Sequence, residues 1–197
     1  MADKFGRVFV PCVAGNHGRT TKRVEMKHFI YKNFDWLIYN LCERHFKDRG
    51  DARVQFYIPT SNEALFRVYD HKFLMLHGHD LGVKGGDGII GALGPILRGR
   101  LKVGAQQAAV GRDFDTLLLG HWHQYLPLPR LIVNNTLNGF DEFANSGIRA
   151  PSSTPSQALT FVHPQLGITC HWEVFVEKVA KRAAQAPEWV SVPGFRS

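Results

Sequence analysis

Residues 116–123 have the sequence TLLLGHWH, a short apolar run followed at once by two histidines that stand two positions apart. Residues 73–79, FLMLHGH, repeat this arrangement, and residues 8–17, VFVPCVAGNH, end a third apolar stretch on an asparagine and a histidine. Short apolar runs are typical of buried strands, and open α/β sheets bind their ligands where strands end. The sequence therefore predicts an α/β fold in which three strand ends bring histidines to one edge.

The side chains at those strand ends are suited to metal binding. They include five of the 10 histidines of the chain: His17, His77, His79, His121 and His123. Imidazole nitrogens and an amide oxygen suit borderline cations such as zinc, manganese and iron. A single histidine after a strand is more often an ordinary hydrogen-bonded loop residue, so the prediction depends on the coincidence of all three strings. We expect a metal site assembled from loops that are far apart in the sequence.

In their order along the chain, these motifs resemble those of the calcineurin-like metallophosphoesterases. That family has the series D-x-H, G-D-x-x-D, G-N-H followed by Asp or Glu, a histidine in an H-G-H context, and G-H-x-H. Residues 15–17 match the third motif, His77 the fourth, and residues 120–123 the fifth. The resemblance runs from about residue 9 to about residue 143 and implies a sandwich of mixed β-sheets flanked by helices.

The resemblance also implies a role for each matched residue. Asn16, His77 and His121 would hold one of two metal ions, and His123 would help to hold the other. His17 would be the catalytic residue, which protonates the leaving oxygen or steadies the phosphoryl transition state. The implied cofactors are manganese, zinc or iron ions, two in a complete site and at most one in this chain.

The first two motifs of the series are absent from the 197 residues. No D-x-H or G-D-x-x-D occurs, and Gly18 stands where the family usually has Asp or Glu. In the family these motifs supply the aspartate that bridges the two ions, which two-metal catalysis holds about 3.5–4 Å apart. We therefore predict an incomplete sandwich that lacks its amino-terminal strands, an unpaired sheet edge beside the metal position, and negligible activity of the chain alone.

Three functions fit these features. The first is a metal-dependent phosphoesterase of phosphodiesterase or nuclease type, which hydrolyses a phosphate ester with metal-activated water once a complementing chain supplies D-x-H and G-D-x-x-D. The second is a catalytically inactive remnant or split-gene half that binds anions or a complementing subunit. The third is a structural zinc protein, and it is the weakest because structural zinc sites are usually rich in cysteine.

The chain is basic, with a formal net charge of +7. A basic surface attracts phosphate esters, including nucleic acid. Arg19 and His79, beside the matched motifs, are the residues that we expect to contact substrate. Ordinary solvated charge explains the same composition about equally well, and no signature of an RNA- or DNA-binding module is present.

The composition, with 44% hydrophobic residues, predicts one domain over residues 1–177 and a C-terminal tail over residues 178–197. Three widely spaced cysteines without a C-x-x-C pair indicate reduced thiols. The start of the chain lacks the apolar region of a signal peptide, and no apolar run is long enough to span a membrane. We therefore expect a cytoplasmic protein.

Hydrophobic periodicity predicts the elements that carry the motifs. Strands are expected over residues 7–13, 53–58, 64–69, 72–76 and 131–133, and a hairpin over 157–162 and 168–176, after an exposed loop at 146–156. Apolar residues from Met26 to Leu41 recur at helical spacing until Gly50, and we expect this stripe to pack in the core. The glycine-rich residues 81–99 predict either backbone N–H groups that bind phosphate or a flexible connection into a short helix interrupted at Pro95.

Overall fold

The computed structural model describes residues 1–82, 88–138 and 154–176, with only the backbone for residues 88–92. The predicted tail over 178–197, its boundary at 177 and most of the predicted loop at 146–156 lie outside these residues. Within them the helices are α1 (Ala2–Phe5), a 3₁₀ helix (Phe29–Lys32), α2 (Phe34–Asp48) and α3 (Gly88–Ala109). The strands are β1 (Val8–Pro11), β2 (Val54–Tyr57), β3 (Glu63–Val68), β4 (His71–Leu76), β5 (Thr116–Leu119), β6 (Leu126–Leu128), β7 (Leu131–Val133), β8 (Ser156–His163) and β9 (Gly167–Phe175).

A mixed five-stranded sheet with the order β3-β4-β5-β7-β6 forms the centre of the fold. β4, β5 and β7 run parallel to one another, whereas β3 and β6 are antiparallel edge strands. Alternate side chains of the parallel strands, such as Leu74, Leu117 and Leu131, are fully buried on one face together with Ile96 and Val103 of α3. The predicted α/β class is therefore confirmed.

Two of the predicted histidine strings meet at one edge of this sheet. β4 and β5 are adjacent and parallel, with Leu76 opposite Leu119. Because parallel strands end at the same edge, residues 77–79 and 120–123 follow neighbouring strand ends. The sequence prediction for these two strings is confirmed.

Two smaller sheets accompany the central one. β1 and β2 form a parallel pair, and α2 connects them. β8 and β9 form the predicted antiparallel hairpin. No helix in the described ranges is long and apolar enough to cross a membrane.

The prediction of a short helix interrupted at Pro95 is wrong. α3 runs without a break from Gly88 to Ala109 with Pro95 inside it. Proline removes one helical hydrogen bond, but Ile96 and Val103 are buried against the sheet on the same helix. This packing stabilises the helix across the proline. Residues 83–87 of the glycine-rich stretch lie outside the described part of the chain.

The prediction that the apolar stripe from Met26 to Leu41 packs in the core is wrong for most of its length. Phe29 and Ile30, in the 3₁₀ helix, are buried. The remaining members of the stripe are 47–57% exposed: Met26, Phe34, Leu37, Ile38 and Leu41. α2 turns another side toward β2, where the rings of Phe46 and Phe56 are 5.9 Å apart.

Two local expectations were wrong, and one strand was missed. The strands expected over residues 64–69 and 72–76 leave residues 70–71 as the turn of the hairpin, but the turn is at residues 69–70, because His71 begins β4, where its Nε2 is hydrogen-bonded to Thr116 Oγ1 at 2.9 Å. Ser156 is buried at the start of β8 instead of lying in an exposed loop. The proline-containing strand β6 was not predicted, because Pro127 weakens the strand pattern; β6 is an edge strand, the position that tolerates proline.

Candidate metal site

Asn16 and His77, which are 61 positions apart in the sequence, are in direct contact. His77 Nε2 donates a hydrogen bond of 2.9 Å to Asn16 Oδ1. Two ligands bound to one ion at right angles, each at about 2.1 Å, have donor atoms about 3.0 Å apart. The separation of these two atoms is therefore compatible with shared coordination of one ion.

His121 lies next to this pair. The backbone N–H of Gly120 donates to the carbonyl oxygen of His77 at 3.0 Å and continues the contact between β4 and β5 beyond the strand ends. The ring centroids of His77 and His121 are 5.2 Å apart. His121 and His123 both have left-handed backbone conformations, with φ angles of 62° and 51°. The chain thus turns sharply at the residues that carry the two imidazoles.

The start of α2 holds the loop that carries Asn16. The N–H of Gly15 donates to Asp35 Oδ2 at 2.8 Å, and Asn33 Nδ2 donates to the carbonyl oxygen of Gly15 at 2.7 Å. Asn33 is also the N-cap of α2, since its Oδ1 accepts from the N–H of Asp35 at 2.9 Å. Sequence reasoning missed both residues, although Asn at a helix start is a capping signal.

Two glycines of this loop are closely packed against neighbouring side chains. A β-carbon at Gly15 would lie 3.1 Å from Cε1 of His77, so the backbone approaches the imidazole closely. A β-carbon at Gly18 would collide with the side chains of Asn33 and Asp35. The glycine at the position where the resembled family has an acidic residue therefore has a packing reason in this chain.

Three imidazoles of the site, those of His77, His79 and His121, have lowered pKa values and are neutral at neutral pH. Burial, followed by the neighbouring imidazole of His121, lowers the pKa of His77 to about 3. Burial and the neighbouring His79 lower the pKa of His121 to about 4. Burial also lowers the pKa of His79, an effect that Asp80 opposes. Neutral imidazole is the form that binds metal ions.

His79 contributes buried polar atoms that lack partners. Its ring lies 5.0 Å from the ring of Phe29. Neither of its ring nitrogens has a hydrogen-bond partner among the described residues, and the same holds for Asp80 Oδ1 and Trp122 Nε1. An unpaired buried polar group costs about 1–3 kcal/mol. These atoms are therefore suited to a bound polar ligand.

The structure gives the other predicted site residues different positions. His17 and His123 lie near His77: after burial, His121 and His79, they make smaller contributions to the lowered pKa of His77. Arg19 Nη1 donates to the carbonyl oxygen of Asn16 at 2.6 Å. Arg19 thus stabilises the loop in this structure, and its Nε is buried without a partner among the described residues.

The residues present fit part of a metal site. Asn16 and His77 offer adjacent amide oxygen and imidazole nitrogen ligands. Within the described part of the chain, however, no three His, Cys, Asp or Glu side chains are arranged to hold one ion. The predicted set contains no carboxylate. The described residues can therefore supply some of the ligands of an ion and not a complete set.

No family model matches the chain, and no curated protein matches it. Among solved structures, it is similar to the crystal structure of a Vps29 single mutant from Entamoeba histolytica. The two chains are 13% identical with a TM-score of 0.38, over 84% of this chain and 97% of that chain. A TM-score this low does not establish a shared fold.

Proposed function

We propose that this chain is the histidine-bearing part of a metal-dependent phosphoesterase of the calcineurin-like type. The observation that carries the proposal is the contact between Asn16 and His77, with His121 beside it on the neighbouring strand end. The order of the three motifs along the chain supports the same conclusion. The sandwich fold of that family, incomplete in this chain, is part of the proposal.

Asn16, His77 and His121 would hold one ion, and His123 would contribute to a second one. A bound ion would supply Lewis-acid activation of the phosphate ester. His17 follows Asn16 directly, so its backbone belongs to the loop that Asp35 holds. In this proposal His17 donates a proton to the departing oxygen, and His79 contacts the phosphate oxygens.

The bridging carboxylates would come from a complementing polypeptide with D-x-H and G-D-x-x-D. The incomplete ligand set supports this part of the proposal, since the 197 residues contain neither motif. The same observation favours a second candidate function, a catalytically inactive chain that binds anions or a partner. Activity measurements separate the two.

The test is the hydrolysis of bis(p-nitrophenyl) phosphate with added manganese. The chain is assayed alone and with the amino-terminal fragment of a complete calcineurin-like phosphoesterase that ends before its G-N-H motif. We expect negligible turnover by the chain alone and turnover by the complex. His17→Ala should retain manganese and reduce turnover by about a hundred- to ten-thousand-fold, whereas His77→Ala should lose both.

His45→Ala is the matched control, because His45 is an exposed histidine on α2 outside the site. It should retain full activity. Robust turnover by the chain alone would contradict the missing-carboxylate part of the proposal. A complex that forms and hydrolyses nothing would favour the inactive candidate. Two tightly held metal ions per isolated chain in elemental analysis would contradict the incomplete ligand set.

A further inference from the structure

A cavity of about 440 Å³ lies against the face of the central sheet that is opposite to α3. Its floor is apolar, with Phe66, Met75, Leu118 and Ile132 from four different strands. These side chains alternate along the strands with those that pack against α3. We call the cavity the sheet groove.

β8 and Val13, which lies two residues beyond the end of β1, complete the lining of the sheet groove. Ala158, Thr160 and Val162, which alternate along β8, face into it, and so does Val13. Within the described residues, β8 pairs only with β9. At its other edge, the N–H groups of Ser156 and Ala158 donate to the carbonyl oxygen of Thr136 and to Asn134 Oδ1, at 3.2 and 2.8 Å. Beyond Ala158, no described strand pairs with this edge, which leaves backbone groups there for another strand.

β1 also has an open edge. The N–H groups of Val8 and Cys12 donate to the carbonyl oxygens of Arg53 and Tyr57, at 2.8 and 2.9 Å. Because N–H groups alternate between the two edges of a strand, the N–H of Phe9 points away from β2. In the part of the chain that is described, no strand pairs with that edge. The Phe9 ring lies 5.9 Å from Phe66 of the groove and is still 50% exposed.

The sheet groove is continuous with the candidate site. His77 and Gly120, at the ends of β4 and β5, belong to its lining. A strand that lay in the groove would therefore have one end beside His77 and Asn16. The chain carries a net charge of +7, and the site presents imidazoles and an amide with no carboxylate among the predicted ligands. His77 and His121 are neutral at neutral pH, so it is the positive charge of the chain as a whole that favours an occupant with an acidic end.

We propose that the sheet groove binds an extended strand of a second polypeptide by β-augmentation. The strand's alternate apolar side chains face the central sheet, its backbone pairs with an open edge, and a carboxylate at its end lies beside His77. The carboxylate part rests on the proposed function, whereas the docking part rests on the groove and the two edges.

The test measures binding without metal or substrate. The 197-residue chain is titrated calorimetrically, in the presence of EDTA, with the amino-terminal phosphoesterase fragment described above. We expect a one-to-one complex, with slower hydrogen exchange at the Phe9 amide. Thr160→Lys introduces a charge into the groove and should weaken binding by about tenfold or more. Leu166→Lys, in the exposed turn of the same hairpin, should leave binding unchanged.

If Thr160→Lys fails to fold, the exchange rate of the Phe9 amide in the unmodified chain, with and without the fragment, still tests the docking. A Phe9 amide that is already protected in the isolated chain would overturn the proposal, because the chain itself or a second copy would then fill the groove. Absence of binding, or binding that Leu166→Lys weakens as much as Thr160→Lys, would also overturn it. A complex that protects Phe9 and hydrolyses no phosphate ester would support the docking and contradict the proposed function.

Discussion

The carboxylate of Asp35 accepts a hydrogen bond of 2.8 Å from the backbone N–H of Gly15, so the first turn of α2 fixes the loop that carries Asn16. Asn33, the N-cap of the same helix, holds the carbonyl oxygen of Gly15. Both backbone groups of one glycine are thus bound by side chains of one helix start. The position of the Asn16 amide relative to His77 depends on this contact.

Asp35→Ala should therefore destabilise the chain and loosen the site. A hydrogen bond to a charged group contributes about 1.5–3 kcal/mol, and Asp35 is partly exposed, so we expect a loss of about 1.5 kcal/mol in the free energy of unfolding. Manganese affinity should fall as well, because Asn16 is no longer held beside His77. Urea unfolding and metal titration measure the two effects.

Asp48→Ala is the control for that substitution. Asp48 ends the same helix and forms an exposed ion pair with Arg44 at 3.6 Å. Exposed pairs contribute about 0–1 kcal/mol, so stability and metal binding should change little. Equal effects of Asp35→Ala and Asp48→Ala would show that the contact with Gly15 is unimportant.

Gly18→Ala should be destabilising, since the added β-carbon collides with the side chains of Asn33 and Asp35. Overpacking of this kind costs about 1–3 kcal/mol, and it also displaces the residues that hold Gly15. Gly104→Ala is the matched control, because a β-carbon there meets nothing within 4 Å on α3. Alanine in a helix interior should stabilise the chain by about 0.5–1 kcal/mol. Thermal unfolding of the two variants should therefore move in opposite directions, and a stabilising Gly18→Ala would contradict the observed packing.

The sequence predicted the meeting of residues 77–79 with residues 120–123 because it depends on strand order and direction, which apolar runs reveal. It did not predict the contacts of Asn33 and Asp35 with Gly15. A capping residue is recognisable in a sequence, but the loop that its side chain also holds is determined by tertiary packing. The approach of Asn16 to His77 follows from the predicted meeting of the three strand ends, whereas their binding to the same ion was implied only by the resemblance of the motifs.

The errors have related causes. Pro95 is tolerated because Ile96, directly after it, and Val103, two turns further along α3, are buried against the sheet. The helix propensity of the local sequence does not include the free energy of this tertiary packing. The apolar side chains of α2, Leu37 among them, are exposed in this structure, and periodicity shows only that a helix has an apolar face. Whether another element packs against that face is determined by tertiary structure, which periodicity does not show.

Cys12 should be the least reactive of the three thiols. It is buried, and its Sγ donates to the carbonyl oxygen of Val10 at 3.5 Å. Burial, with smaller contributions from Cys42 and Glu43, raises the pKa of Cys12 to about 11. The thiolate is the reactive form, so a disulfide reagent at pH 7.5 should modify the partly exposed Cys42 and Cys170 first. Modification of Cys12 should follow unfolding, and its rapid labelling in the folded chain would contradict this burial.

The metal-free chain should lose stability as the pH falls below about 6.5. Burial lowers the pKa of His77 to about 3, whereas the unfolded chain takes up this proton near pH 6.5. Between these values the unfolded state binds more protons, so the free energy of unfolding decreases with decreasing pH and is independent of this group above about pH 6.5. One such group contributes up to about 2 kcal/mol between pH 7 and pH 5.

Urea unfolding at pH 7 and pH 5 measures this loss, and His77→Gln should reduce it because glutamine does not titrate. Proton NMR of the His77 ring provides a direct check. A ring that titrates near pH 6.5 in the folded chain would contradict the buried environment.

His79→Leu should stabilise the isolated chain, the opposite of the usual effect of a substitution at a buried site. Both ring nitrogens of His79 are buried without a partner among the described residues, and leucine retains the apolar contact with Phe29 while removing them. We expect a gain of about 1 kcal/mol in the free energy of unfolding. His71→Leu is the matched control, since the His71 ring is hydrogen-bonded to the buried Thr116 at 2.9 Å and its loss should be destabilising.

If His79 contacts the phosphate, His79→Leu should also weaken inhibition of the complemented enzyme by inorganic phosphate, so that stability rises as ligand affinity falls. A His79→Leu chain that is less stable than the unmodified one would mean that the ring nitrogens do have partners, and the assignment of His79 to the ligand would lose its basis.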